Sequence, residues 1–67
     1  MQNHVRERII ELLKAHPEGL TIQEIASALE VNRITASKYI YGLISEGAVR
    51  QRKVGPAKLC FMEGGNE

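Results

Sequence analysis

Apolar residues near the start of the chain recur at the three- and four-residue spacing of an amphipathic helix. This stripe predicts a first helix at about residues 4–15, carried by Val5, Ile9, Ile10, Leu12 and Leu13. Asn3 can serve as its N-cap, and Pro17 and Gly19 end it because neither residue continues a helix well. The chain is therefore expected to open with a helix that has one apolar face.

A second, shorter helix is predicted at about residues 22–29, where Ile22, Ile25, Ala26 and Leu29 share one face. Thr21 and Glu24 stand just before and inside it with the T-x-x-E spacing of a capping box. In this motif each side chain accepts a hydrogen bond from the backbone N–H of the other residue. The pattern therefore indicates both the presence of the helix and its first residue.

The third helix is predicted at about residues 33–46, with Asn32 as its N-cap and Gly47 as its left-handed C-cap. Helical geometry gives it two distinct faces. The apolar face, which is expected to meet the core, carries Ala36, Ile40, Leu43 and Ile44. The second face mixes a base, hydroxyls and apolar groups: Ile34, Lys38, Tyr41 and Ser45, with Ser37, Thr35 and Gly42 beside them.

After Gly47 the helical spacing gives way to short strand-like runs, which predict a β-hairpin at about residues 48–62. Gly55 and Pro56 mark its turn. Two strands alone are only marginally stable, so the hairpin must pack on the helices. The residues expected on its packed face are Val49, Leu59 and Phe61.

The predicted fold is α+β and mainly α, with a three-helix core followed by a C-terminal β-hairpin. A chain of 67 residues with 43% hydrophobic content fits one domain, expected at residues 1–62, with residues 63–67 as a flexible tail. The single cysteine, Cys60, excludes an internal disulfide and lies in an apolar run. We therefore expect it to be a buried thiol.

Sequence motifs for catalysis, cofactor binding and membrane insertion are lacking. His4 and His16 have no Cys, Asp or second His at metal-ligand spacing, and no glycine-rich phosphate loop occurs. Apolar runs are far shorter than the roughly 18 residues of a membrane span, and no secretory signal is visible. The expectation is a cytoplasmic protein that is not an enzyme and has no metal or cofactor.

The net charge of +1 conceals a strong asymmetry along the chain. Residues 1–31 carry a net charge of −2, and residues 63–67 carry another −2. Residues 32–62 hold six Lys or Arg and one Glu, a net charge of +5. The basic segment coincides with the third helix and the hairpin, and such asymmetry indicates a polyanionic partner.

The order of these elements resembles the winged helix-turn-helix family of DNA-binding domains, over about residues 4–62. The likeness rests on residues 20–49, which hold the capped second helix, Asn32, Thr35, the Ser37-Lys38 pair and the closing Glu46-Gly47-Ala48-Val49. This stretch looks most like the MarR- and ArsR-like transcriptional regulators of bacteria and archaea. The resemblance implies that the third helix enters the major groove of double-stranded DNA and that the hairpin, the wing, lies along the backbone.

The residue types agree with this implied role. Bases and hydroxyls on the third helix can donate to base edges or phosphates, and its tyrosine can stack or donate. Bases of the wing supply sequence-independent attraction to phosphates. The predicted DNA-binding residues are Arg33, Thr35, Ser37, Lys38, Tyr41, Arg52, Lys53 and Lys58.

Two functions fit this sequence. The first is sequence-specific binding of double-stranded DNA by a prokaryotic, nucleoid-associated transcriptional regulator, acting as a homodimer or fused to a sensor domain. The alternative is a winged-helix protein-interaction module in a nucleic-acid-processing complex, which should expose apolar groups on its third helix. Here Ile34 is the one exposed apolar residue predicted there, with Lys38 and hydroxyls around it, and this composition favours DNA.

Overall fold

The computed structural model describes residues 3–63, which form three helices followed by a two-stranded antiparallel hairpin. The elements are α1 (Asn3–Lys14), α2 (Ile22–Leu29), α3 (Arg33–Glu46), β1 (Val49–Val54) and β2 (Ala57–Met62). This order confirms the predicted fold class and is that of a winged helix. The N-cap proposed for the Asn3 side chain and most of the predicted tail, residues 64–67, lie outside the described part.

Local hydrogen bonds define where α2 and α3 begin and end. The Thr21 hydroxyl accepts the Glu24 N–H at 3.1 Å, and the Glu24 carboxylate accepts the Thr21 N–H at 3.0 Å. The Asn32 side chain accepts the backbone N–H two residues later at 2.6 Å. Gly47 ends α3 with a left-handed φ of 86°. The predicted capping box, N-cap and C-cap are all confirmed.

The core lies where the three helices meet the hairpin. Its buried side chains come from all five elements: Ile9, Leu13, Ile25, Leu29, Ile40, Leu43, Val49 and Cys60. The predicted core face of α3 is confirmed, since Ala36 is also buried and Ile44 packs half-buried against the same cluster. Apolar burial of this kind is the main force that holds so small a domain together.

The prediction for the packed face of the hairpin is wrong at two of its three positions. Val49 is buried as expected, but Leu59 and Phe61 are only half-buried, and Cys60 between them is fully buried. Cys60 pairs with Gln51, two residues from Val49, and so shares the face of Val49. Because side chains alternate along a strand, Leu59 and Phe61 lie on the opposite face.

Cys60 is a core residue, as predicted. Burial raises the pKa of its thiol, and a hydrogen bond from the Gln51 side chain, at 3.6 Å from the sulfur, offsets part of that rise. The thiol therefore stays protonated and packs as a small apolar group. Its backbone exchanges two hydrogen bonds with Leu20, at 3.0 and 2.7 Å, which tie the connector between α1 and α2 to the hairpin.

Gly42, in the middle of α3, offers a test of stability. A Cβ added there meets no atom within 4 Å, and a mid-helix glycine costs up to about 1 kcal/mol relative to alanine. We expect Gly42→Ala to raise the free energy of unfolding by about 0.5–1 kcal/mol, measured by urea denaturation.

Gly19 is the matched control for this substitution. It has a left-handed φ of 101°, and its added Cβ would stand 3.0 Å from the Leu59 Cβ and 3.2 Å from the Cys60 carbonyl oxygen. Gly19→Ala should therefore lose stability. A loss of stability in Gly42→Ala as well would show that α3 is not a regular helix at this point.

Candidate functional site

A tight turn between α2 and α3 presents the third helix to solvent. Glu30 adopts a left-handed φ of 58°, and its N–H donates back to the last turn of α2. The Val31 N–H donates to the Ala26 carbonyl at 3.0 Å, and Asn32 then opens α3. These bonds leave little freedom in the three-residue connector, so α2 holds α3 in a fixed orientation.

The outer face of α3, opposite the core, consists of Ile34, Lys38, Tyr41, Gly42 and Ser45, all of which are exposed. Ile34 is 69% exposed and Tyr41 is 48% exposed. This agrees with the helical positions predicted from the sequence. The outer face has no acidic side chain, and it combines one ammonium group with hydroxyls and apolar surface.

The eight predicted site residues fall into two groups. On α3, Lys38 and Tyr41 belong to the outer face, Arg33 is exposed at the first position, and Thr35 and Ser37 flank the outer face half-buried. On the hairpin, all three predicted bases are exposed: Arg52, Lys53 and Lys58. Lys53 and Lys58 are direct cross-strand partners, so their side chains leave the same face of the hairpin.

Ion pairs neutralise two bases that are not among the predicted site residues. Within residues 3–63, Arg6 pairs with Glu46, and Arg50 pairs with Glu63 at 3.1 Å. Arg50, which was not among the predicted DNA-binding residues, is thus neutralised by a residue assigned to the tail. In the same range, none of the five predicted site bases has an acidic partner. Their positive charge remains available to a ligand.

The Lys53–Lys58 pair is unfavourable for the free protein. Like charges directly opposite each other in an antiparallel pair destabilise the hairpin. No acidic side chain of residues 3–63 bridges the two ammonium groups. An anion placed between them would remove the repulsion, so this part of the hairpin is suited to a phosphate.

Ile34 is absent from the predicted site residues, although the structure places it on the same face as Lys38, one turn earlier. The signal that could have found it is its helical position together with its apolar character. Val54, at the hairpin turn, is the other large aliphatic side chain that is well exposed in the described part, at 46%. Ile34 therefore adds an apolar group to the outer face of α3, beside Lys38, whereas Val54 lies away from that face.

No group of three or more His, Cys, Asp or Glu side chains within residues 3–63 is placed to hold a metal ion. Among the helices described, none has the length and apolar character needed to cross a membrane.

The model of the IclR helix-turn-helix domain family matches residues 8–53 of the chain. The matched range begins in α1, includes α2, the connector and α3, and ends in β1. It supports the predicted winged helix-turn-helix, DNA-binding and transcription-regulation assignments, but not the narrower likeness to MarR- or ArsR-like regulators. No curated protein and no solved structure matches the chain.

Proposed function

The chain belongs to the IclR helix-turn-helix domain family, and we propose that it binds specific sites in double-stranded DNA, as a transcriptional regulator or as the DNA-binding module of one. One observation carries the proposal: five bases without an acidic partner in residues 3–63 lie on α3 and the hairpin. DNA presents a dense line of phosphates, which attracts such a surface strongly.

In this proposal α3 lies in the major groove with its N-terminal half at the base edges, because that groove is wide enough for a helix. Arg33 and Lys38 then donate to guanine acceptors or phosphates. Thr35 and Ser37, at the two sides of the helix, form hydrogen bonds with phosphates or base edges. Tyr41, nearly one turn beyond Lys38, stacks on a base or donates a hydrogen bond through its hydroxyl at the wall of the groove. The positive end of the helix dipole at Arg33 adds to the attraction.

The wing contacts the phosphate backbone in the same proposal. Lys53 and Lys58 each contact a phosphate, and the negative charge of these phosphates offsets the repulsion between the two ammonium groups. Arg52, on the opposite face of β1, reaches a third phosphate. These contacts are independent of base sequence and fix the orientation of α3 in the groove.

The functional unit is proposed to be larger than one domain. A single winged helix covers few base pairs, and specific regulators commonly place two modules on two half-sites. The chain would thus act as a homodimer or joined to a sensor domain, on the nucleoid in the cytoplasm of a prokaryotic cell. It would act by occupying its site, without catalysis or a cofactor.

The test is selection of bound sequences from random duplexes, followed by titration of the selected duplex and a scrambled one. Two mismatches introduced at the centre of the selected duplex should weaken binding by about 2 kcal/mol or more, roughly 30-fold. Equal affinity for the selected and the scrambled duplex would contradict sequence specificity. Failure to bind any duplex would contradict the whole proposal and favour the protein-interaction alternative.

Two lysine substitutions should separate base contacts from phosphate contacts. Lys38→Ala is expected to lose about 1–3 kcal/mol on the selected duplex and to relax its sequence preference. Lys53→Ala should weaken selected and scrambled duplexes alike and reduce the salt slope by about 1. Fluorescence anisotropy titrations measure both effects.

Arg8→Ala is the control for these two variants, because Arg8 is an exposed base on α1, outside the proposed interface. It should leave affinity and sequence preference unchanged. If Lys38→Ala also leaves both unchanged, α3 is not the helix that reads the bases.

A further inference from the structure

Ile34 is the most exposed large apolar side chain in the described part of the chain, at 69%. On the same helix, Ile40 is fully buried in the core. An isoleucine left in water forgoes the stabilisation that burial gives, so the fold itself gains little from this side chain. Its place in the first turn of α3 therefore suggests a role in contacting a ligand.

The first turn of α3 holds Ile34 in a defined position. The Ile34 N–H donates to the Asn32 side chain at 2.6 Å, which fixes the backbone at this point. Isoleucine is branched at Cβ and has essentially one favoured χ1 rotamer in a helix. Little side-chain entropy is therefore lost when Ile34 packs against another surface.

The surroundings of Ile34 indicate what that surface is. Lys38 lies one turn further along the same face, and Arg33 directly precedes Ile34 in the chain. The outer face carries no acidic residue. An apolar protein partner would meet a single aliphatic side chain among cationic and hydroxyl groups. A surface that is polyanionic yet offers an isolated apolar group fits better. The major groove of DNA is such a surface, because thymine presents its C5-methyl group there.

We propose that Ile34 is a specificity-determining residue that packs on the C5-methyl group of a thymine in the major groove. This inference rests on the proposed function, in which the first turn of α3 meets base edges. It adds a contact that hydrogen bonding does not supply. Adenine–thymine pairs are distinguished at this position by shape and apolar contact, while Lys38 supplies polar contacts one turn further along.

The experiment replaces the thymines of the selected duplex one at a time by deoxyuridine, which lacks the methyl group and keeps the same base pairing. At one thymine, the wild-type protein should lose affinity by about three- to fivefold, the value for burying one methyl group. Ile34→Ala should bind the thymine duplex more weakly and become indifferent to uracil at that position. Ile34→Val, which keeps a branched side chain, should retain part of the sensitivity.

Val54→Ala is the matched control, because Val54 is an exposed aliphatic residue at the hairpin turn. It should keep the full wild-type response to uracil. The inference is overturned if no uracil substitution changes wild-type affinity, or if Ile34→Ala responds to uracil as the wild type does. In either case a retained preference for the selected duplex would leave the proposed function standing, whereas loss of all sequence preference in the wild type would overturn both.

Discussion

Replacing Ile40 by alanine is expected to lower the free energy of unfolding by about 2–5 kcal/mol. Ile40 is fully buried in the core cluster, and its truncation removes apolar burial and leaves a cavity. Single cores of domains this small rarely supply more than about 3–5 kcal/mol. The variant is therefore expected to be largely unfolded, as measured by circular dichroism and urea denaturation.

Ile34→Ala is the matched control, because it makes the same substitution on the same helix at a position that is 69% exposed. The gain in helix propensity from Ile to Ala is common to both variants, so the difference between them reports burial. Ile34→Ala should change stability by no more than about 0.5 kcal/mol. Equal losses at the two positions would mean that α3 is rotated about its axis, and the outer face would then be misassigned.

The helices could be predicted from the sequence because their ends are determined by local chemistry. Thr21 and Glu24 cap each other within one turn, and Asn32 caps the turn that follows it. Such bonds depend on residues close together in the chain and on little else. The bounds predicted for the second and third helices therefore coincide with those of α2 and α3.

The packed face of β2 could not be predicted in the same way. Residues 59–62 are all apolar, so no alternation shows which side chains point inward. The choice depends on the register with β1 and on the backbone bonds between Leu20 and Cys60, which are forty residues apart in sequence. A shift of one residue would reverse both faces. Only tertiary structure determines which register forms.

The two faces of α3 followed from helical geometry, but the electrostatics of the site did not follow from composition. The sequence shows a net charge of +5 over residues 32–62 without showing which bases are neutralised. The structure pairs Arg50 with Glu63 and Arg6 with Glu46, and each of these pairs joins different elements or segments. Such pairing depends on the folded arrangement. It distinguishes Arg50 from Arg52, two residues away, which has no acidic partner within residues 3–63.

Raising monovalent salt from 50 to 200 mM is expected to weaken binding to a duplex of unrelated sequence by about 500-fold per domain. The estimate counts one phosphate contact for each of the five bases of α3 and the hairpin that lack an acidic partner in the described part of the chain. Five contacts give a logarithmic salt slope of about −4.5. Counterions released from the phosphates are the physical cause. Anisotropy titrations at several salt concentrations measure the slope directly.

Two double variants with the same change in net charge test whether the location of the bases matters. Lys53→Ala with Lys58→Ala should reduce the slope to about −2.7, since two phosphate contacts are lost. Arg8→Ala with Lys14→Ala removes two exposed bases from α1 and should leave the slope near its original value. Equal reductions of the slope in both double variants would show that binding depends on the total charge of the protein alone. A wing that contacts the backbone requires the first variant to differ from the second.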